Sequence, residues 1–175
     1  MLAGLVPIIL LSSPTSADPV ADVLARQLAL VEHDLVGLAE AMPADRYGLR
    51  PQNGAFANVR TFGEQVRHVA TMIYMTAAIV LEEKSPYGPG TNDNGPDSVQ
   101  EKDQIVEYLK ASLAYARRAA TSLTERNQLD PLKTYFGMQP RIEVAAGIVY
   151  HSYNHYGQMV VYARMNDIVP PASRR

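Results

Sequence analysis

Apolar side chains recur every three or four residues in four separate stretches of the chain, and this spacing is typical of one face of a helix. The first stretch follows Asp18 and Pro19, a favoured N-cap and a residue favoured at the first helical position. The sequence therefore predicts a first helix that begins at Pro19 and ends before Pro43. Its apolar stripe consists of Leu24, Leu28, Val31, Leu35 and Leu38.

Two further helices are predicted between residues 61 and 123. Thr61 and Glu64 match a capping box, so the second helix should start near Thr61 and run to about Glu83. Residues 85–97 are rich in proline and glycine and predict a loop. Ser98 and Glu101 repeat the capping pattern and predict the start of the third helix. The apolar stripe of the third helix consists of Ile105, Leu109, Leu113, Ala116, Ala120 and Leu123.

A fourth helix is predicted from about Pro140 to Asn166, after a connection with a short extended piece at residues 134–136. Four amphipathic helices without a strong strand pattern indicate an all-α, four-helix bundle. Residues 43–60 form a long connection that allows a crossover between the first two helices. The inward stripe of the fourth helix contains Val144, Gly147, Ile148, His151, His155, Gln158, Met159 and Tyr162.

The first 17 residues are treated apart from the predicted domain, which spans residues 18–175. Leu2 to Leu11 is apolar, and Thr15-Ser16-Ala17 offers a small-residue cleavage pattern. This favours a signal peptide and an exported, periplasmic protein, although no Lys or Arg precedes the apolar stretch. The alternatives are a misassigned start codon and a disordered leader, which would leave the protein cytoplasmic.

Composition excludes several classes of function. The chain has 175 residues, a net charge of −2 and no cysteine. Without cysteine there are no disulfides, thiolate ligands or cysteine nucleophiles, so any thiol chemistry must use the thiol of a separate molecule. The sequence has no basic run that would indicate a nucleic-acid surface, and no apolar stretch long enough to span a membrane.

Three of the four histidines are predicted to point into the bundle. His151 and His155 are four residues apart and lie on one face of the fourth helix. His68 shares a face of the second helix with Met72 and Met75. Three neutral imidazoles can hold a divalent metal and leave a fourth position open, as in catalytic zinc sites, and nickel, copper or iron would also suit them. The alternative is a set of buried histidines, each with its own hydrogen-bond partner.

The positions of other polar residues on the predicted helices indicate what roles they could have. His33 lies opposite the apolar stripe of the first helix and is predicted to be a surface residue. Glu64 could orient a ligand or act as a general base, but its place in the capping box favours the structural role. Tyr153, Asn154 and Gln158 are candidates for hydrogen-bond partners around a metal.

Two segments resemble signatures of a known family. Phe62–Ala70, which contains His68, resembles the second-helix histidine signature of the DinB/YfiT-like superfamily of metalloenzymes. His151–Asn166 resembles its C-terminal His-x-x-x-His-x-Gly-Gln signature. The resemblance covers about residues 20–173.

The resemblance implies a four-helix bundle in which His68, His151 and His155 hold a divalent metal ion, zinc or nickel. Some relatives transfer a small thiol, such as bacillithiol, mycothiol or glutathione, to or from an electrophile, and many have no assigned activity. The resemblance therefore implies a metal-dependent enzyme, with transfer of an external small thiol as its expected reaction. Metal-dependent hydrolysis is a variant of this reaction. Members of the family are often homodimers, and the family name does not imply nucleic-acid binding. One alternative is a non-catalytic metal-binding or stress-associated helical module, and another is a metal-free helical interaction protein.

Overall fold

The computed structural model describes residues 18–52 and 54–174, and the predicted leader at residues 1–17 lies outside this range. The described residues form four long α-helices, which confirms the all-α class. None of these helices has the length and hydropathy needed to cross a bilayer. The helices are α1 (Pro19–Ala41), α2 (Phe62–Leu81), α3 (Lys102–Thr121) and α4 (Arg141–Arg164).

The connection between α1 and α2 crosses one end of the bundle, as predicted. Both α1 and α2 pack against α3 and α4, whereas few contacts join α1 to α2. Residues 42–61 therefore link helices at opposite corners. Buried Tyr47 fixes this connection at both ends, because its hydroxyl donates to the Ala39 carbonyl (2.7 Å) and its own carbonyl accepts from the Gly63 amide (2.8 Å).

The core is formed by the predicted apolar stripes. All five stripe residues of α1 are buried, and so are all six predicted for the third helix, of which Leu123 lies two residues beyond the end of α3. The buried faces of α2 and α4 complete one continuous cluster. Burial of this apolar surface is the main driving force that holds the four helices together, at about 25 cal/mol per Å² removed from water.

The start of the third helix differs from the prediction. The helix begins at Lys102, and Glu101 is its N-cap instead of Ser98. The Gln104 side-chain oxygen accepts from the Glu101 amide at 3.1 Å. The reason is a turn just before the helix, in which the Val99 amide donates to the Pro96 carbonyl. This turn includes Ser98, so Ser98 cannot cap the helix.

A short antiparallel hairpin precedes α4, with strands β1 (Pro131–Thr134) and β2 (Gly137–Pro140). The extended piece predicted at residues 134–136 was therefore misplaced, because Tyr135 and Phe136 form the turn between the strands. Their side chains are 80% and 86% exposed. Gly137 closes the turn at a φ of 101°, a conformation that glycine adopts without a steric penalty.

The capping box of α2 gives a testable prediction. The Thr61 hydroxyl accepts from the Glu64 amide (3.3 Å), and the Glu64 carboxylate accepts from the Thr61 amide (2.7 Å). Replacing Thr61 with Ala should lower the free energy of unfolding by about 1 kcal/mol, because a helix amide loses its acceptor. Thr61→Ser keeps the hydroxyl and should stay close to wild type. Urea denaturation measures both, and equal stability of the Ala variant and wild type would contradict the assigned cap.

Candidate metal centre

His68, His151 and His155 meet where α2 packs against α4. One ring nitrogen from each lies within 4.8 Å of the other two. The ring of His68 is 5.3 Å from that of His151 and 4.7 Å from that of His155, measured between centroids. The two histidines of α4 are 4.7 Å apart by the same measure. The structure thus brings together the three histidines that the sequence predicted to face inward.

Hydrogen bonds fix the protonation of two of these rings. His68 Nδ1 lies 3.0 Å from the Asp93 carbonyl oxygen, and His155 Nδ1 lies 2.6 Å from the Gln65 side-chain oxygen. Both partners are acceptors, so each Nδ1 carries the proton and donates it. Nε2 of each ring is then left with a lone pair, which is the usual arrangement of a metal-binding histidine.

The third ring contains an unsatisfied buried atom. His151 Nε2 is inaccessible to solvent and has no hydrogen-bond partner among the described residues. A buried nitrogen without a partner costs about 1–3 kcal/mol, so such atoms are rare in folded proteins. A metal ion would satisfy this atom, and three neutral imidazoles are a donor set suited to zinc or nickel. The residues present therefore fit a divalent metal.

The surroundings keep all three imidazoles uncharged near neutral pH. Burial lowers the pKa of His68 to about 4, and the nearby Arg60 guanidinium adds to the effect. Burial, together with the other two histidines and Arg60, lowers the pKa of His155 to about 3. The pKa of His151 is lowered by burial and by Arg60. Each ring can therefore offer a lone pair to a metal without first losing a proton.

Comparison with known proteins assigns the family. The sequence profile of the DinB superfamily matches residues 27–159, which is most of the chain. The chain belongs to the DinB superfamily. No functionally curated protein matches it significantly.

Solved structures of DinB proteins share the fold. A protein assigned to the DinB family from Exiguobacterium sibiricum 255-15 is 17% identical, with a TM-score of 0.63 over 87% of this chain and 95% of its own. A DinB-like protein from Bacillus cereus ATCC 10987 is 14% identical, with a TM-score of 0.64 over 86% of this chain and 95% of its own. At these identities the likeness concerns the fold of the helical bundle.

Four other residues of this DinB-superfamily protein for which the sequence suggested a role make no side-chain contact of their own with the three histidines through hydrogen bonds. Glu64 is engaged in the helix cap, and His33 has 71% of its side chain exposed on α1. The Tyr153 hydroxyl donates to the Asp34 carboxylate at 3.3 Å, which directs this side chain towards α1. Asn154 is exposed. None of these four side chains hydrogen-bonds to a histidine of the centre in the described part of the chain.

Gln158 is connected to the centre through Gln65, a residue without a predicted role. The Gln65 side chain accepts from His155 and donates to the Gln158 side-chain oxygen at 3.2 Å. Gln65 is only 3% exposed, whereas Gln158 is exposed at the edge of the bundle. Gln65 could have been identified from the sequence, because it is a polar residue on the inward face of α2. The Asp93 carbonyl could not have been identified in this way, because every residue has a backbone oxygen.

The lowered pKa values predict how stability depends on pH when metal is removed. In the unfolded chain the three histidines bind protons with a pKa of about 6.5, but in the folded protein His68 does so only near 4. The unfolded state therefore binds more protons in this window, and stability should fall as the pH decreases from about 6.5 to 4. Thermal unfolding in the presence of a chelator, between about pH 7.5 and 5, measures this loss.

Matched variants show whether the predicted loss of stability at low pH comes from the three buried histidines. His33→Ala removes an exposed histidine and keeps all three buried ones, so the loss of stability at low pH should persist, whereas His155→Gln should weaken it. A melting temperature that is constant between about pH 7 and 5 in the metal-free protein would contradict the prediction.

Proposed function

We propose that this DinB-superfamily protein binds one divalent metal ion, zinc or nickel, through His68, His151 and His155. The observation that carries the proposal is the buried Nε2 of His151, which has no partner among the described residues. It lies beside two imidazoles whose Nδ1 atoms already donate to oxygen acceptors. Independent packing of three histidines would leave this nitrogen unsatisfied, whereas a shared metal satisfies all three rings.

We further propose that the protein is a metal-dependent transferase for a small external thiol. When bound, a divalent metal lowers the pKa of a coordinated thiol or water and so provides a nucleophile near neutral pH. Three protein ligands leave room for a small molecule at the centre. Since the chain has no cysteine, the thiol must belong to a second molecule.

The protein residues contribute orientation and charge to this reaction. Gln65 and the Asp93 carbonyl hold two of the rings by their Nδ1 atoms, which fixes the direction of the opposite nitrogens. The Arg60 guanidinium, which lowers the pKa of all three histidines, would also favour a negatively charged nucleophile over its neutral form.

Turnover assays test the enzymatic part of the proposal. Protein loaded with zinc or nickel is incubated with bacillithiol, mycothiol or glutathione and a panel of electrophiles, and separately with ester and amide panels. We expect turnover that requires both the metal and a thiol, that is lost in His155→Ala and that is retained in His33→Ala. Ester or amide hydrolysis without a thiol would indicate a metal hydrolase instead. If fully metal-loaded protein turns over neither group, the enzyme proposal is wrong and a non-catalytic metal-binding module remains.

A further inference from the structure

A polar cleft of about 590 Å³ lies against the histidine centre. Its walls include Gln65, whose side chain accepts from His155. They also include Asn92 and Asn94, which flank the residue whose carbonyl accepts from His68. The cleft is therefore connected to His68 and His155 through the same short segments of chain.

The cleft carries positive charge that no ion pair among the described residues neutralises. Arg50 and Arg60 both line it. Arg60 donates to the Asn94 side-chain oxygen (2.9 Å) and the Asn92 carbonyl (2.7 Å), and Arg50 donates to the Val59 carbonyl (3.1 Å). All of these partners are neutral, and neither arginine forms a salt bridge within residues 18–52 and 54–174. This concentration of charge contrasts with the net charge of −2 of the whole chain.

The carboxylate that lines the cleft, Glu64, has a separate role. It accepts from the Thr61 amide in the cap of α2. Against the effect of burial, the hydrogen bonds from Thr61 and the nearby Arg50 guanidinium lower the pKa of this carboxyl. The Glu64 carboxylate forms no salt bridge with either arginine, and two guanidinium groups beside one carboxylate leave the cleft with net positive charge.

The amides at the start of α2 already have acceptors, which argues against a phosphate. Phe62 donates to the Leu49 carbonyl (2.9 Å) and Gly63 to the Tyr47 carbonyl (2.8 Å). The Glu64 amide donates to the Thr61 hydroxyl. Phosphates at helix N-termini are usually held by free amides of this kind, and none of these three is available. The cationic donors that line the cleft are the guanidinium groups of Arg50 and Arg60. Nη1 of Arg60 and both Nε and Nη2 of Arg50 donate to no acceptor among the described residues, and a planar guanidinium can bind a carboxylate through two such N–H groups.

We propose that this cleft binds a carboxylate group of the small-molecule substrate through Arg50 and Arg60. The inference rests on the proposed function, because it names the substrate class of the same centre, namely small organic acids. Arg50 also lines two further depressions of about 340 and 350 Å³, which are formed largely by residues of the crossover connection. The cleft itself, at about 590 Å³, is large enough for a molecule that extends beyond the carboxylate.

Isothermal titration of the metal-free protein with succinate tests the proposal independently of metal binding and catalysis. Succinate should bind, and succinamide, its neutral counterpart, should not. Arg50→Gln should weaken succinate binding at least about tenfold, the loss expected for one charge-assisted hydrogen-bonded pair. Arg26→Gln removes the same charge from an exposed site on α1 and should leave the affinity unchanged.

Further variants and probes make the result decisive. Arg50→Lys keeps the charge but loses the planar fork, and should bind with intermediate affinity. Circular dichroism shows whether each variant is folded, and Arg60→Lys provides a second site if Arg50→Gln unfolds. The proposal is overturned if succinate does not bind, if succinamide binds equally well, or if inorganic phosphate binds and succinate does not. Equal succinate affinity in wild type and folded Arg50→Gln also overturns it. A protein that binds succinate but no metal would keep this site and refute the metal centre.

Discussion

Replacing His155 with Ala is expected to remove the divalent metal from the protein. Wild-type protein, purified without a chelator and without a histidine tag, should contain about one equivalent of zinc or nickel, since the described residues include one group of three histidines that could hold a metal ion. The variant lacks one of the three proposed ligands, and only His151 would remain on α4 to hold the metal. The affinity of the variant for the metal should fall by more than the roughly 10–100-fold that loss of an outer hydrogen-bond partner costs. Elemental analysis of both proteins measures the difference.

Two controls show whether the loss of metal is specific to the histidine centre. His33→Ala removes a histidine that is 71% exposed on α1, so it should retain the metal. Far-ultraviolet circular dichroism should show the same helix content in all three proteins. Equal metal content in wild type and His155→Ala would contradict the assigned site. If no metal is found in either protein after reconstitution with zinc and with nickel, the metal-centre proposal fails.

The four helices could be predicted because their signals are local. The period of the Leu24 to Leu38 stripe identifies the buried face of α1, and the capping residues mark where helices begin. Periodicity does not show which helices pack against this face. Only the structure shows that α1 packs on α3 and α4. The extended piece was misplaced and the hairpin was not predicted, because the two strands are four residues long and only Leu132 is buried.

The three histidines could also be predicted from local sequence signals, whereas the residues around them could not. Helical geometry places His151 above His155, and the apolar neighbours of His68 on α2 indicate its direction. The sequence could not show that the Asp93 carbonyl reaches His68, because that contact depends on the path of the loop between α2 and α3. The cleft beside the centre likewise combines the crossover connection, this loop and two helices, which lie far apart in sequence.

Gln65→Leu is expected to weaken metal binding about 10–100-fold without removing a ligand. Gln65 is buried, and its side-chain oxygen accepts the Nδ1 proton of His155 at 2.6 Å. Leucine is of similar size but offers no acceptor. His155 would lose the bond that fixes its tautomer and ring orientation, and its Nδ1–H would be left buried and unpaired. Competition with a chromophoric chelator measures the affinity of each protein for zinc and nickel.

Gln65→Glu distinguishes orientation of His155 from simple packing. A glutamate keeps an acceptor at the same place, so it should preserve the metal affinity that the leucine variant loses. The exposed amide of Gln158 can rotate to donate to the new carboxylate, since its oxygen now accepts from Gln65. If the glutamate variant binds metal as weakly as the leucine variant, packing accounts for the loss. If the leucine variant binds as tightly as wild type, the Gln65 hydrogen bond does not position His155, and the two α4 histidines are held by the helix alone.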